Sequence, residues 1–300
     1  MEIRQGKTSG ERIIFILNPV SGTHRKDNIE SLILGNINHD IYKPEVILTR
    51  YKGHAVKIAM KAVSEGVRKV VAIGGDGTVN EVASALVGTK CALGIIPGGS
   101  GNGLARYLGI PLIHKEAVRM LNNCSIRKID AGLVNKNYFF CTCGIGFDAH
   151  VGKVFDKLEG RGFLNYVKTA VIEFFSYNPK KYKLFIDGIK IRERAFLVTF
   201  ANAGQYGSNA YIAPAAQIDD GLLDICIMKP FPRFKWLLLG LRLFNKTIDK
   251  SKYLLIFRGK EICVKRKKKY TIHIDGDPVK TKKNINVTVL QKALRVMVPQ

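Results

Sequence analysis

The sequence predicts two successive domains: an α/β domain built on a parallel sheet, then a mostly antiparallel, sandwich-like β domain. Before Pro111, four short apolar runs alternate with segments of helical spacing, which is typical of parallel strands joined by crossover helices. From Ile126 onward, strand-like runs follow one another and are joined by turn signals such as Asp187-Gly188. We therefore predict domains at residues 1–125 and 126–300.

The elements of the first half follow from continuous apolar runs that end at turn residues. Arg12-Ile-Ile-Phe-Ile-Leu17 has the pattern of a buried parallel strand, and Asn18-Pro19 ends it. Further strands are predicted at residues 42–49, 69–73 and 91–96. Helices are predicted near residues 27–35, 53–65, 79–86, 104–108 and 113–123.

The second half is predicted to be mostly strands. They lie at residues 126–134, 138–143, 181–187, 189–201, 253–258, 261–266, 270–275 and 285–290, with one strongly helical region at residues 163–175. Residues 231–244 are strongly apolar, with basic residues interspersed and the only tryptophan, Trp236. They are too short to span a bilayer, so they form either a core helix or a helix in a membrane interface. Three consecutive leucines do not define one apolar face, which favours the core.

Two glycine-rich loops follow strands of the first domain. Gly74-Gly-Asp-Gly-Thr-Val-Asn80 lets backbone N–H groups face a phosphate beside a helix N-terminus. Its Asp76 suits a metal ion or a proton transfer better than plain anion binding. This loop alone would equally fit an ordinary strand-to-helix turn. Pro97-Gly-Gly-Ser-Gly-Asn-Gly103 follows the next strand, so both loops should lie at the same carboxyl edge of the sheet.

Together with Asn18-Pro-Val-Ser-Gly22, these loops resemble the diacylglycerol kinase catalytic domain, which bacterial lipid kinases, sphingosine kinases and ceramide kinases share. The resemblance covers nearly the whole chain. It implies an ATP-binding domain, a lipid-binding β domain and an active site in the cleft between them. The residues that it implies at the ATP site are Asn18, Thr49, Gly74, Gly75, Asp76, Gly77, Thr78, Val79, Asn80, Gly98, Gly99 and Ser100.

The resemblance also gives roles to two carboxylates of the second half. Asp277 matches the family's glutamate, which is taken as the base that deprotonates the acceptor hydroxyl, on a side chain shorter by one methylene. Either the backbone is closer here or Asp76 takes more of this role. Asp148 matches the aspartate that engages the polar head of the lipid in sphingosine kinases. The structural alternatives are a hairpin turn around Asp277 and a helix N-cap at Asp148.

Magnesium is the metal that the resemblance implies. Asp76 would hold a catalytic Mg²⁺ with ATP, directly or through water. A second, structural Mg²⁺ would bind the side chain of Asp220 and the backbone carbonyls around Gln217 and Leu222, as in bacterial members. An acidic turn before a strand would have the same sequence pattern.

The chain is strongly basic, with 48 Lys and Arg against 24 Asp and Glu and a net charge of +24. The second half is the more basic one, with runs at residues 180–183, 265–269 and 280–283. Such runs suit an anionic membrane surface, at about 1 kcal/mol per basic residue, or solvated strand edges. No nucleic-acid-reading motif accompanies them, so no specific nucleic-acid partner is expected. Without a signal-peptide core or a long apolar run, the protein is expected to be cytoplasmic and peripherally membrane-associated.

The resemblance implies an ATP-dependent lipid kinase. Diacylglycerol, giving phosphatidic acid, is the first choice of acceptor. A sphingoid long-chain base is the second, because the loop around Ser100 looks more like the sphingosine kinase version. NAD kinases share the Gly-Gly-Asp-Gly motif and form a further alternative. The last alternative is a non-catalytic relative that binds anionic membranes.

Overall fold

The computed structural model describes residues 10–21, 28–156, 163–265, 270–281 and 284–300. By internal packing they form two compact units. Unit 1 runs to Gly99 and includes Gly109–Arg127 and Leu294–Gln300, and unit 2 comprises Ser100–Leu108 and Lys128–Ala293. The division into residues 1–125 and 126–300 stays a prediction. The observed units differ from a single cut because each contains a segment from the other half of the sequence.

Unit 1 is a parallel sheet flanked by helices. Its elements are β1 (Glu11–Leu17), α1 (Ile29–Leu34), β2 (Tyr42–Leu48), α2 (His54–Ser64), β3 (Lys69–Gly74), α3 (Asp76–Leu86), β4 (Ala92–Pro97) and, after α4 of unit 2 (Gly103–Tyr107), α5 (His114–Asn122). The strands are parallel in the order β2-β1-β3-β4. β3 and β4 are buried almost throughout, which explains their continuous apolar sequences.

Unit 2 is built from two sheets of mostly antiparallel strands. Its elements are β5 (Cys124–Val134), β6 (Asn137–Phe139), β7 (Thr142–Gly146), α6 (Phe147–Phe155), α7 (Phe163–Ser176), β8 (Lys180–Ile186), β9 (Ile189–Ala195), β10 (Leu197–Ala201), β11 (Leu223–Met228), α8 (Trp236–Phe244), β12 (Leu254–Gly259), β13 (Glu261–Lys265), β14 (Tyr270–Ile274), β15 (Asp277–Thr281) and β16 (Asn284–Pro299). The first residues of β5 and the last of β16 belong to unit 1. There the end of β16 pairs with β4 in parallel, with Arg295 opposite Ala92.

The main core of unit 2 lies between its two sheets. One sheet has the antiparallel order β12-β11-β10-β7-β14-β15. The other contains β13, β8 and β9 together with β5, β6 and the start of β16. Leu184 and Ile262 of one sheet and Phe200 and Ile225 of the other share this core. The packing of two sheets through apolar inner faces makes unit 2 sandwich-like.

Two predicted strands are wrong in extent, because each is divided between two strands. Residues 138–143 contribute to β6 and β7, with a break at Phe140 and Cys141. Residues 189–201 form β9, which pairs with β8, and then β10, which pairs with β7 in the other sheet. The chain changes sheets at Phe196, and an apolar pattern does not reveal such a crossing. The predicted strand at 285–290 is only the first part of β16.

Other elements were absent from the sequence prediction. Helix α6, strand β11 and strand β15 are the additions. Helix α8 was expected to be a core helix, and this is true of one side only. Leu239 is buried, while Leu237, Leu238 and Leu241 are each more than half exposed. In the described part of the chain, no helix is long and apolar enough to cross a membrane.

The six cysteines are free thiols, and four of them are buried. Burial raises the pKa of Cys91 to about 12 and the pKa values of Cys143 and Cys226 well above the ordinary range. These thiols therefore stay protonated at neutral pH and pack as small apolar side chains.

Candidate active site

Apart from Ser100, the residues predicted to bind ATP belong to unit 1, and they lie at the carboxyl edge of its sheet. The strand order places β2 on one side of β1 and β3 on the other, so the topology switches direction beside β1. Ligands of open α/β sheets bind at such a point. Asn18 follows β1, and its backbone N–H donates to Ile73 O of β3 at 3.0 Å. Thr49 follows β2 and donates its N–H to Leu17 O at 2.8 Å.

The two glycine loops approach each other through their backbones. Gly98 N–H donates to Gly74 O at 2.7 Å. A Cβ atom added to Gly98 would lie 3.3 Å from Gly74 Cα, and one added to Gly75 would lie 3.3 Å from Gly99 Cα. Neither pair leaves room for side chains. The loops therefore form one surface of backbone at the edge of the sheet, as a phosphate cradle requires.

Helix α3 begins inside the loop Gly74–Asn80 and positions the polar side chains of that loop. Asp76 is its first residue, and Gly75 is the N-cap. The Thr78 hydroxyl is buried and accepts a hydrogen bond from Asn18 Nδ2 at 3.0 Å, which joins the ends of β1 and β3. Asn80 is half-buried one turn further on, where its Oδ1 accepts a hydrogen bond from Ser84 at 3.3 Å. Gly77 and Val79 lie in the same first turns of α3.

The second loop continues into unit 2 at Ser100, which is exposed. A turn of unit 2 holds this part: Ser208 N–H donates to Gly101 O, and the Ser208 hydroxyl donates to Ser100 O, each at 3.0 Å. A Cβ atom on Gly207 would lie 3.1 Å from Gly101 Cα, so the two backbones are in close contact. The sequence does not predict this supporting turn, because its only signal is the polar and glycine-rich composition of residues 202–209.

Asp148 is buried in unit 2 by side chains from other elements. Its Oδ2 accepts a hydrogen bond from the Thr199 hydroxyl at 3.0 Å and lies 3.1 Å from His273 Nε2. The Thr199 hydroxyl lies 2.7 Å from Tyr206 OH. The N-cap alternative is wrong, because Gly146 is the N-cap of α6 and Asp148 lies in the first turn. The role of Asp148 in lipid binding stays a prediction.

This cluster is a polar network inside an apolar region. Burial and the charge of Asp148 raise the pKa of Tyr206 well above its usual range, so its phenol stays protonated. A Cβ atom on Gly144 would collide with both Asp148 Oδ2 and His273 Nε2, so glycine is required there. Among the described residues, His273 Nδ1 is buried with no hydrogen-bond partner. The sequence did not reveal these partners, because 51 and 125 residues separate Thr199 and His273 from Asp148.

The two carboxylates of the Asp275-Gly276-Asp277 turn have different environments. Asp275 accepts hydrogen bonds from three consecutive backbone N–H groups: Phe140 at 2.9 Å, Cys141 at 2.8 Å and Thr142 at 3.0 Å. Asp277 is exposed and begins β15. Asp275 and Gly276 both have positive φ, and Ile274 pairs with Asp277, so the segment is a tight hairpin. Asp275 therefore organises the backbone, and the role of Asp277 as a base stays a prediction.

The predicted structural metal site lies in an ion-paired turn. Asp220 Oδ1 accepts the Leu222 N–H at 3.0 Å, and its Oδ2 is paired with the guanidinium of Arg258. Arg258 Nε also lies 3.7 Å from Asp224 Oδ1. Burial raises the pKa of Asp224 to about 6, although the charge of Arg258 opposes this shift. In the described residues no three acidic, histidine or cysteine side chains converge as metal ligands.

This arrangement does not fit a bound metal as it stands, because both oxygens of Asp220 have partners within the protein. A cation at Asp220 would have to displace Arg258. Gln217 and Leu222 flank this turn, and the prediction assigns the site their backbone carbonyls. The metal role of these three residues stays a prediction.

Comparisons with known proteins identify the family. The diacylglycerol kinase catalytic domain matches residues 12–134, and the YegS C-terminal NAD kinase beta sandwich-like domain matches residues 141–298. A probable lipid kinase YegS-like from Pseudomonas aeruginosa is 30% identical over 85% of this chain and 84% of its own length. The chain belongs to the diacylglycerol kinase and YegS family of lipid kinases. It is therefore an enzyme, a lipid kinase, and the NAD kinase and non-catalytic alternatives are not retained.

Further relatives agree with this family. A diacylglycerol kinase from Mycobacterium tuberculosis is 28% identical over 88% of this chain and 85% of its own length. The structure of a putative diacylglycerol kinase from Bacillus anthracis superposes with a TM-score of 0.77 at 24% identity, over 97% of this chain and 98% of that one. The predicted fold class is confirmed: a parallel-sheet α/β domain followed by an antiparallel β-sandwich-like domain.

Proposed function

We propose that this lipid kinase transfers the γ-phosphoryl group of ATP to the free hydroxyl of diacylglycerol and so forms phosphatidic acid. The observation that carries the proposal is the contact of the two glycine loops, Gly74 with Gly98 and Gly75 with Gly99, at the carboxyl edge of the unit 1 sheet next to its switch point. The name of the mycobacterial relative supports the acceptor.

In this proposal the backbone N–H groups of the two loops hold the phosphates of ATP. Phosphoryl transfer needs positioned phosphates and charge stabilisation more than covalent help from the protein. The hydrogen bond between Asn18 and Thr78 fixes the first loop against the end of β1. Thr49, Gly77, Val79, Asn80 and Ser100 complete the proposed nucleotide site.

A divalent metal fits the same edge of the sheet. The glycine loops present backbone N–H groups there, and Asp76 supplies a carboxylate at the start of α3. Asp76 would hold Mg²⁺ together with ATP. When bound, the metal neutralises charge on the phosphate oxygens.

The acceptor side of the proposal rests on Asp277 and Asp148. Asp277 takes the proton of the acceptor hydroxyl as that oxygen bonds to the γ-phosphorus. The bond from the γ-phosphorus to the bridging oxygen breaks, and ADP leaves with that electron pair. Asp148 would orient the polar head of the lipid. Because the substrate resides in a membrane, we also propose that the protein is cytoplasmic and binds anionic membranes peripherally.

The test is labelled-phosphate transfer from Mg-ATP to diacylglycerol, sphingosine and ceramide, each in mixed micelles. Label on diacylglycerol supports the proposal, and label on sphingosine alone would replace it with the sphingoid base that Ser100 favours. Asp76→Asn and Asp277→Asn should each lower turnover by about 10²-fold or more. Asp40→Asn makes the same change at an exposed residue of unit 1 and should keep wild-type turnover. Wild-type turnover in either site variant would refute that residue's role.

A further inference from the structure

Helix α8 and the turn before it expose an unusual run of large apolar side chains. Phe234 is 79% exposed, Leu237 56%, Leu238 51%, Leu241 53% and Phe244 44%. We name these five residues the α8 surface. Leu237, Leu241 and Phe244 have the i, i+4, i+7 spacing of one helix face, so they form a continuous stripe. A contiguous patch of exposed apolar side chains on a folded protein often marks an interaction site.

The opposite side of α8 fixes the helix to the body of unit 2. Leu239 is buried in an aromatic cluster, and the Trp236 ring lies 6.4 Å from the Phe174 ring of α7. Phe231, just before the helix, stacks on the same Phe174 ring at 5.8 Å. The exposed stripe therefore belongs to a helix that is packed against the body of unit 2. Its side chains are exposed although the helix itself is held in place.

Basic residues surround the α8 surface. Residues 229–252 contain seven Lys and Arg and a single acidic residue, Asp249. Arg233, Lys235 and Arg242 are interspersed with the apolar side chains. The Lys235 amino group lies 5.4 Å from the centre of the Tyr253 ring. A cavity of about 190 Å³ lies against the segment before α8, where Phe231 and Arg233 line it together with Phe174, Phe196 and Arg194.

We propose that the α8 surface is a docking site for an anionic lipid bilayer, with α8 lying in the plane of the membrane interface. Apolar stripes flanked by Lys, Arg and Trp suit that environment. Contact with a second copy through this face would place like charges together, because the charged residues around the α8 surface are almost all basic. The docking site rests on the proposed membrane contact of this kinase, but its test requires no catalysis.

The sole tryptophan of the chain, the half-buried Trp236, begins this helix, so its fluorescence reports on the surroundings of α8 without any substitution. The unmodified protein is mixed, without ATP, with vesicles of phosphatidylglycerol and phosphatidylcholine. We expect co-sedimentation, a blue shift of Trp236 emission and quenching by lipids brominated in the upper acyl chain. Vesicles of phosphatidylcholine alone should bind at least about fivefold more weakly. Failure of the unmodified protein to co-sediment with the anionic vesicles would overturn the proposal.

Two double variants test the apolar and the basic parts separately. Leu237→Gln with Leu241→Gln should weaken binding to anionic vesicles by about tenfold or more. The control, Ile189→Gln with Met60→Gln, changes two equally exposed apolar residues elsewhere and should leave binding unchanged.

Arg233→Gln with Lys235→Gln should weaken binding by about fivefold for each charge removed. Its control, Lys190→Gln with Arg192→Gln, removes two exposed charges from β9, where these residues form a second basic surface with Lys183 and Lys265. Equal losses in both charge variants would refute the location of the docking site, and so would a dimer that Leu237→Gln with Leu241→Gln abolishes.

Kinase assays distinguish this proposal from the proposed function. If no lipid is phosphorylated while the vesicle results stand, the function fails and the docking site holds. If the leucine variant phosphorylates a short-chain, water-soluble diacylglycerol normally but loses activity on vesicles, both hold. Wild-type vesicle binding by that variant would overturn the docking site whatever the kinase activity.

Discussion

Asparagine substitutions at Asp275 and Asp277 should have opposite effects, although the residues are two apart and the chemical change is the same. Asp275→Asn should lower stability and leave the chemistry intact, because its carboxylate accepts three backbone N–H groups. Asp277→Asn should leave stability unchanged and remove the proposed base, because Asp277 is exposed at the start of β15.

The expected loss at Asp275 follows from its hydrogen bonds. Asparagine retains one oxygen, so the bonds from Cys141 and Thr142 persist as neutral bonds and each weakens by about 1 kcal/mol. The new amide group faces the Phe140 N–H, which loses its acceptor at a cost of about 1–2 kcal/mol. The total is about 3–4 kcal/mol, equivalent to a melting temperature lower by about 5–6 °C in a chain of 300 residues. Asparagine tolerates the positive φ of this position, so backbone strain adds little.

The assay combines thermal melting at pH 7 with labelled-phosphate transfer at a temperature well below every melting point. We expect Asp275→Asn to melt early and retain turnover, and Asp277→Asn to melt within about 2 °C of wild type and lose about 10²-fold or more of its turnover. A wild-type melting temperature for Asp275→Asn would refute the stabilising role of the three hydrogen bonds. Wild-type turnover for Asp277→Asn would refute its role as the base.

Three further substitutions test the two units. Gly74→Ala would place a Cβ atom 2.6 Å from Thr78 Oγ1, so the KM for ATP should rise by about tenfold or more, and an unchanged KM would contradict the cradle. Thr199→Val removes a donor to the buried Asp148 carboxylate and should cost about 1–3 kcal/mol in urea unfolding, where no loss would show the network to be energetically neutral. Burial raises the pKa of Asp224 to about 6 in the folded protein, whereas an unfolded aspartate has a pKa of about 4. Between these values only the folded state holds the proton, so the free energy of unfolding should fall as pH rises from about 4 to about 6. Asp224→Asn should flatten the melting profile in that window, and a profile parallel to wild type would argue against the raised pKa.

The α/β half was predictable because its signals are local. β1, β3 and β4 are continuous apolar runs that end at Asn18 or at glycine, and the structure places each within about one residue of the prediction. The contact between the two glycine loops also follows from local facts, since the carboxyl ends of neighbouring parallel strands share one edge. A structure can be predicted from the sequence where a strand, its loop and the following helix together contain all the information that determines it.

The β half was less predictable because its chain changes sheets without a change of composition. β9 and β10 are joined through Phe196 and differ only in pattern: β9 alternates between exposed and half-buried residues, whereas β10 is buried throughout. The end of β16 pairs with β4, about 200 residues earlier, and no local pattern announces such a partner.

The carboxylates show that a sequence motif predicts the local structure around a residue better than it predicts the role of that residue. The turns around Asp220 and Asp275 look alike in sequence, since each combines aspartates with glycine. In the structure Asp220 is paired with Arg258, and Asp275 is bound by the backbone N–H groups of residues 140–142. The donor to Asp220 is 38 residues away in the sequence, and the donors to Asp275 are about 135 residues away. Similar turns therefore receive different partners from distant parts of the chain. Asp148 also depends on distant partners: Thr199 and His273 hold its buried side chain, so a substitution at either residue should disturb the position of Asp148 directly.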